Sequence, residues 1–253
     1  MKITFLGTGT SQGIPVIGCD CDVCQSEDFR DNRLRTSIMI EAKGKVFVID
    51  TGPDFRQQML RQKVHNIDGI IYTHEHRDHI AGLDDIRPIN YMMQKPIEIY
   101  GEERVLEALK QMVPYAFHEN KYPGVPDISL NLINNLGFFI ENVEFIPIRV
   151  YHYKLPVLGF RIGDFTYITD ANYIAEKEKE KMVGTKYLVI NALRKKKHIS
   201  HFNLTDALQI INELSPRKAY LIHMSHQMGL HKDINARLPE NVKLAYDTLT
   251  IKV

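Results

Sequence analysis

The sequence predicts an α/β (α+β) fold with a single domain over residues 1–253. Three observations lead there. Short apolar runs that read as buried strands alternate with longer amphipathic or charged stretches that read as helices, from one end of the chain to the other. No internal repeat and no linker rich in glycine, serine or proline breaks that alternation. A chain of 253 residues is long enough to bury one substantial core.

Taken in order, Lys2 to Thr8 reads as a first strand running into the turn Gly7-Thr8-Gly9-Thr10-Ser11. No Gly-Lys-Ser/Thr follows, so the turn does not complete a phosphate loop. A polar segment carries Cys19, Cys21 and Cys24 and extends to Arg35. Ser37 to Ala42 and Lys45 to Thr51 flank Lys43-Gly44 as a hairpin, with Asp50 near its end. Pro53 to Gln62 suits a helix with proline in its first turn. The apolar run Gly69 to Tyr72 reads as a strand, and Ala81 to Ile86 as the opening of a helix. Ile97 to Tyr100 is a short strand and Glu102 to Met112 a helix. Tyr115 to Asn135, with its prolines and aromatics, reads as an irregular lobe of the kind that sets specificity; its His118 reads as a surface residue. Val143 to Val150 is a strand, and Val157 to Ile162 with Phe165 to Thr169 forms a hairpin around Gly163-Asp164. Asn172 to Met182 reads as a charged helix, Tyr187 to Leu193 as a strand, and Leu204 to Leu214 as an amphipathic helix. Lys218 to Met224 is a strand, and Val242 to Val253 supplies one or two more.

Composition narrows the function. Lys plus Arg total 32 against 31 for Asp plus Glu, a formal charge of +1, so strong attraction to nucleic acid or anionic membrane is not indicated. The run Arg194-Lys195-Lys196-Lys197 reads as a solvated loop. No apolar stretch has the length of a membrane span. Met1 to Leu6 lacks the apolar core of a signal peptide, so a cytoplasmic location is expected.

Between the strand at Gly69 and the segment at Ala81 stands His74-Glu75-His76-Arg77-Asp78-His79. Imidazoles and a carboxylate packed this densely suit zinc, iron or manganese. Neighbouring side chains diverge, so one ion cannot take all four ligands from so short a segment, whereas two adjacent ions can. The three cysteines, all within residues 19–24, are too few and too close for a disulfide framework and suit a metal hook that needs a fourth ligand. Free thiols are the plainer alternative.

The pattern His-x-His-x-Asp-His after a strand resembles the signature of the metallo-β-lactamase superfamily of binuclear hydrolases. The resemblance implies a four-layer αββα sandwich and predicts, further along, a histidine, an aspartate and a histidine, each at a strand end. His152, Asp170 and His223 occur in that order. The implied assignment places His74, His76 and His152 on one divalent zinc or manganese ion and Asp78, His79 and His223 on the other, with Asp170 bridging. Asp78 thereby counts among the catalytic residues. Asp50 is implied to support a metal-binding histidine from behind. Two such cations can bind a hydroxide between them and clamp the oxygens of an ester being displaced.

The cysteine loop together with His226 resembles the structural zinc site of one branch, which includes the phosphodiesterase that opens phosphoribosyl cyclic phosphate. In that branch a histidine just before a helix contacts phosphate and can protonate the leaving oxygen. His201 in Ser200-His201-Phe202-Asn203-Leu204 is the preferred match and His198 the competitor. The transfer-RNA 3′-processing endonucleases carry a long glycine- and proline-rich arm that this chain lacks. The expected substrate is therefore a small cyclic or nucleotide-like phosphodiester, with a homodimer suggested by analogy only. Alternatives are a processing endonuclease, a lactone or thioester hydrolase on the same core, and a non-enzymatic accessory or carrier protein of cofactor biosynthesis.

Overall fold

The computed structural model describes residues 1–118 and 124–253. Its strands are β1 (Lys2–Gly7), β2 (Ser37–Ala42), β3 (Lys45–Ile49), β4 (Gly69–Ile71), β5 (Ile97–Gly101), β6 (Ile128–Leu132), β7 (Phe138–Ile140), β8 (Val143–His152), β9 (Leu155–Ile162), β10 (Phe165–Ile168), β11 (Tyr173–Ile174), β12 (Tyr187–Asn191), β13 (Lys218–Ile222), β14 (Val242–Leu244) and β15 (Thr250–Lys252). The α-helices are α1 (Phe55–Gln62), α2 (Arg77–Ile80), α3 (Arg87–Met93), α4 (Glu103–Met112), α5 (Glu176–Lys179), α6 (Leu204–Leu214) and α7 (His231–Asn235).

These strands form two sheets. One runs β15-β1-β2-β3-β4-β5-β6; the other runs β11-β8-β9-β10-β12-β13-β14, with β7 paired to β8. The inner faces meet through Phe5, Phe47, Phe145, Phe160 and Tyr167, all fully buried, and Phe47 sits edge-on to Phe145 at 5.4 Å. On the outer face of the first sheet, Phe55 of α1, Ile89 of α3 and Leu109 of α4 cover Val48, Ile70 and Ile99. On the other outer face, Ala207, Ile210 and Ile211 of α6 cover Leu188, Ile190 and Leu221. The order is α/β/β/α, a four-layer sandwich. Helix α6 begins where expected because Asn203 and Asp206 close a reciprocal capping box ahead of its apolar face.

β3 to β6 run parallel in the first sheet, and β10, β12, β13 and β14 run parallel in the second. The loops leaving the carboxyl ends of β3, β4, β10 and β13 carry Asp50, the His74–His79 motif, Asp170 and His223. A site at the carboxyl ends of parallel strands is where α/β sheets place chemistry.

Several expectations need correction. Asn172 to Met182 is not one helix: Tyr173 and Ile174 pair with Tyr151 and Val150 of β8, leaving one α-helical turn and a 3-10 turn behind them. Pairing of Tyr173 and Ile174 on the sheet edge holds the helix back to Glu176, and the lysines and glutamates that follow keep their helix preference. The segment from Tyr115 to Asn135 is less irregular than its prolines suggest, since β6 within it extends the first sheet beside β5. His118 is exposed, and positions 119–123 lie outside the described residues. The stretch Ala81 to Ile86 holds a 3-10 turn, and α3 starts only at Arg87; the shorter α2 lies inside the histidine motif itself. β8 runs to His152 and turns into β9 through Tyr153-Lys154, so His152 stands in a tight hairpin, opposite Leu155. The C-terminal segment gives two strands, one in each sheet. Among the described residues no helix is long and apolar enough to cross a membrane.

Candidate metal centre

The strand ends bring the seven predicted histidines and aspartates into one cluster. Donor atoms of Asp78, His79, Asp170 and His223 lie within 4.8 Å of one another, as do those of His74, His76 and Asp170. Asp170 belongs to both groups, which is the position a bridging carboxylate must hold. It lies 3.0 Å from His223 Nε2, 3.4 Å from His79 Nε2 and, through its other oxygen, 3.8 Å from His74 Nε2. His152 packs 5.1 Å from the His76 ring, and its donor atom groups with Asp170 and His201.

Hydrogen bonds behind the rings turn them toward one another. Asp50 Oδ2 accepts from His79 Nδ1 at 2.7 Å and from the Thr73 hydroxyl at 2.8 Å. That hydroxyl, its proton committed to Asp50, accepts from His74 Nδ1 at 2.9 Å. His152 Nδ1 donates to the Ser200 carbonyl at 2.7 Å. With Nδ1 engaged from behind in all three rings, Nε2 is the atom each turns to the centre, the one a metal would take once it displaces any proton there. Thr73 and Ser200 escaped the sequence reading, because neither the shared hydroxyl nor the carbonyl leaves a mark in the pattern.

The backbone also pays for this convergence. Asp50, Asp170 and His223 adopt φ values of 64°, 48° and 54°, a left-handed conformation uncommon outside glycine. Helix α2 is pressed against the loop after β3, where Thr51 N donates to His79 O at 2.7 Å and Gly82 N to Thr51 O at 2.8 Å. A Cβ at Gly52 would collide with the Asp78 carbonyl, so that close approach requires glycine.

Electrostatics fit divalent cations. His74 Nε2, His79 Nε2 and His223 Nε2 are buried without a hydrogen-bond partner. Burial disfavours charge on His79 and His223, yet the surrounding carboxylates outweigh it: His79 is held protonated well above its usual range, and His223 is lifted to about 9. His74, with burial dominant, is pushed well below its ordinary value. Asp78 and Asp170 stay ionised far below the carboxylate range because neighbouring imidazoles outweigh burial. Buried carboxylates thus hold protons on imidazoles at the places where metal charge would displace them.

The second cluster is separate. Sγ atoms of Cys19, Cys21 and Cys24 lie 3.2, 3.3 and 3.6 Å from His226 Nδ1, and the four donors share one 4.8 Å neighbourhood. Three sulfurs and one imidazole, all half-buried, fit a closed zinc site. The Cys24 backbone amide lowers the Cys21 thiol to about 6, while burial raises Cys24 to about 11.

His201 is 8% exposed, stacks 4.9 Å from His223 and lies tilted 4.4 Å from His152; its Nδ1 has no partner. Burial lowers its pKa to about 3. His198 stands farther out, its Nδ1 engaged by the amide and hydroxyl of Ser200. Beside His76 and His152 opens a cleft of about 640 Å³, lined also by Tyr153, Lys154, Leu155 and Ile199.

Comparison with known proteins agrees with this architecture. The beta-lactamase superfamily domain matches residues 45–224. An octanoyltransferase of Porphyromonas gingivalis is 38% identical over 252 residues, 98% of this chain and 51% of that protein. A ribonuclease Z of Methanococcus maripaludis is 29% identical over 165 residues, 63% of this chain and 48% of that protein. The chain thus spans about half the length of the curated relatives it matches. The crystal structure of a diphosphatase from the PhnP family is 36% identical, covers 100% of this chain and 97% of its own, and superposes with a TM-score of 0.93. This chain belongs to the beta-lactamase superfamily, on its PhnP-like branch.

Proposed function

We propose that the chain hydrolyses a small cyclic or nucleotide-like phosphodiester. The observation that carries this reading is the buried His201 ring, set against His152 and His223 beside the cleft. The residues would hold two divalent cations, zinc or manganese: His74, His76 and His152 on one, Asp78, His79 and His223 on the other, Asp170 shared. Cys19, Cys21, Cys24 and His226 would hold a structural zinc. When bound, the pair supplies Lewis-acid charge to phosphoryl oxygens and acidifies water.

The chain's own groups do the rest. Asp50 orients His79 directly and His74 through Thr73, so both rings keep a fixed tautomer. His201, neutral at physiological pH, donates an N–H to a phosphate oxygen; proton delivery to the leaving oxygen requires the substrate's negative charge to raise its pKa first. Lys154 stands at the cleft for a second anionic group, and a volume near 640 Å³ suits a nucleotide-sized molecule. Small phosphodiesters are accordingly the proposed partners, with no membrane.

The test compares bis(p-nitrophenyl) phosphate with 2′,3′-cyclic nucleotides on the metal-loaded protein. No hydrolysis of either would overturn the proposal. In His201→Ala the cyclic nucleotide, with its poor leaving group, is expected to lose roughly 100- to 10,000-fold in turnover, and the nitrophenyl ester much less.

A second reading has one observation behind it. The cleft is rimmed by Leu155 and by Ile199, which is 67% exposed, and the Porphyromonas relative is named for transfer of an octanoyl group. An acyl thioester or lactone would suit that apolar rim. Its turnover, surviving His201→Ala unchanged, would favour this reading.

A further inference from the structure

We propose that Arg104 is a positioning residue for the cation site of His74, His76 and His152, working through Glu75 and the Pro156 carbonyl. The inference rests on the metal assignment above and adds a residue to it. Arg104 lies in the first turn of α4, bonds to Glu75, Pro156 and Glu102 and to no histidine of the cluster, and does not itself line the cleft.

Its guanidinium grips two segments at once. Nη1 donates to Glu75 Oε2, and Glu75 stands between His74 and His76. Nη2 donates to the carbonyl of Pro156 near the start of β9. Pro156 is paired with Tyr151 across the β8–β9 hairpin, so it is held one residue from His152. One segment leaves the first sheet and the other belongs to the second. The side chain therefore fixes the separation of His76 and His152, whose rings lie 5.1 Å apart. A planar fork, with two nitrogens donating at fixed angles, sets the spacing and direction of both acceptors more strictly than the single nitrogen of an ammonium does.

The fork is itself held. Glu102 Oε2 lies 3.5 Å from Arg104 Nη2, and Glu102 is clamped by Arg149 of β8 at 2.7 and 2.5 Å. The chain Glu75–Arg104–Glu102–Arg149 thus ties the histidine motif to α4 and to β8, which ends in His152. All four side chains are partly shielded, with 17% to 29% exposure. Ion pairs this close to solvent add little to global stability. Their value here is geometric, because metal affinity depends on where the ligands stand before the ion arrives.

The deciding experiment is a cobalt(II) titration of the intact chain after metal removal, followed by visible absorption, for the parent, Arg104→Ala and Arg104→Lys. Melting of each metal-free protein is recorded alongside. Arg104→Ala is expected to weaken cobalt binding at the histidine cluster by about 10- to 100-fold. Its intense thiolate–cobalt absorption from the cysteine cluster and its melting curve should match the parent's. Arg104→Lys should fall between the two. A titration of Arg104→Ala that superimposes on the parent's overturns the proposal. Full recovery by lysine overturns the role of the planar fork in setting that spacing. Equal weakening of both cobalt sites with a lower melting temperature overturns it as well, since that marks a loosened fold. A parent that binds cobalt only at its cysteines defeats the hydrolase site itself, and this inference falls with it.

Discussion

The cysteine cluster draws three of its four side chains from one six-residue loop, whereas the histidine–aspartate cluster gathers seven from the ends of four strands in two sheets. The first is half-buried and complete at four donors. The second is mostly buried, adjoins a cleft and has two of its members, with Asp50 behind them, in left-handed backbone. The first needs its loop and one distant histidine brought to it; the second is correct only when both sheets are. On the proposed function, the dispersed cluster carries the chemistry and the compact one fastens the fold. His223 and His226 join the two, one to each cluster, a single turn of chain apart.

That contrast can be broken by substitution. Asp78→Ala removes a carboxylate from the dispersed cluster and is expected to cut turnover by about 1,000-fold or more while leaving the melting curve near the parent's. Steady-state rates paired with calorimetry decide it. Asp50→Asn withdraws the charge that orients His79 and Thr73, and should weaken metal retention or rate by about 10- to 100-fold, read by competition with a chelator. Cys21→Ser should barely change turnover per bound catalytic metal. Its effect falls on stability: a loss of about 3 kcal/mol would lower the melting temperature by roughly 6–12 °C in a chain of this size. Equal melting losses for Cys21→Ser and Asp78→Ala would erase the proposed division of labour.

Much of the fold could be read because it is local. The ranges of β2, read from the hairpin signal at Lys43-Gly44, and of α6, read from its amphipathic pattern, are repeated by the structure. The density of His74 to His79 announced a metal motif because the residues are neighbours in sequence. His152, Asp170 and His223 carried no such mark singly; only their order beside strands pointed to them, and the structure brings them to the motif. What sequence could not show depends on contacts between distant segments. Tyr173 and Ile174 joined the sheet edge because β8 was there to receive them, a fact absent from their own stretch. Thr73 reads as an ordinary strand-end threonine until Asp50 and His74 are seen on either side of it. Arg104 reads as one more helix-surface cation until Glu75 and Pro156 meet it.

The left-handed backbone at Asp50, Asp170 and His223 has an evolutionary consequence. Glycine adopts that conformation without steric penalty, so, on the proposed function, relief of backbone strain and retention of chemistry favour different residues at these three places. Selection for turnover keeps a side chain where selection for ease of folding would discard it. A lineage released from catalysis, yet still selected to fold, would drift toward glycine at positions 50, 170 and 223 first. Loss of function in such descendants would be recorded in the main chain's preferences before the hydrophobic interior changed at all.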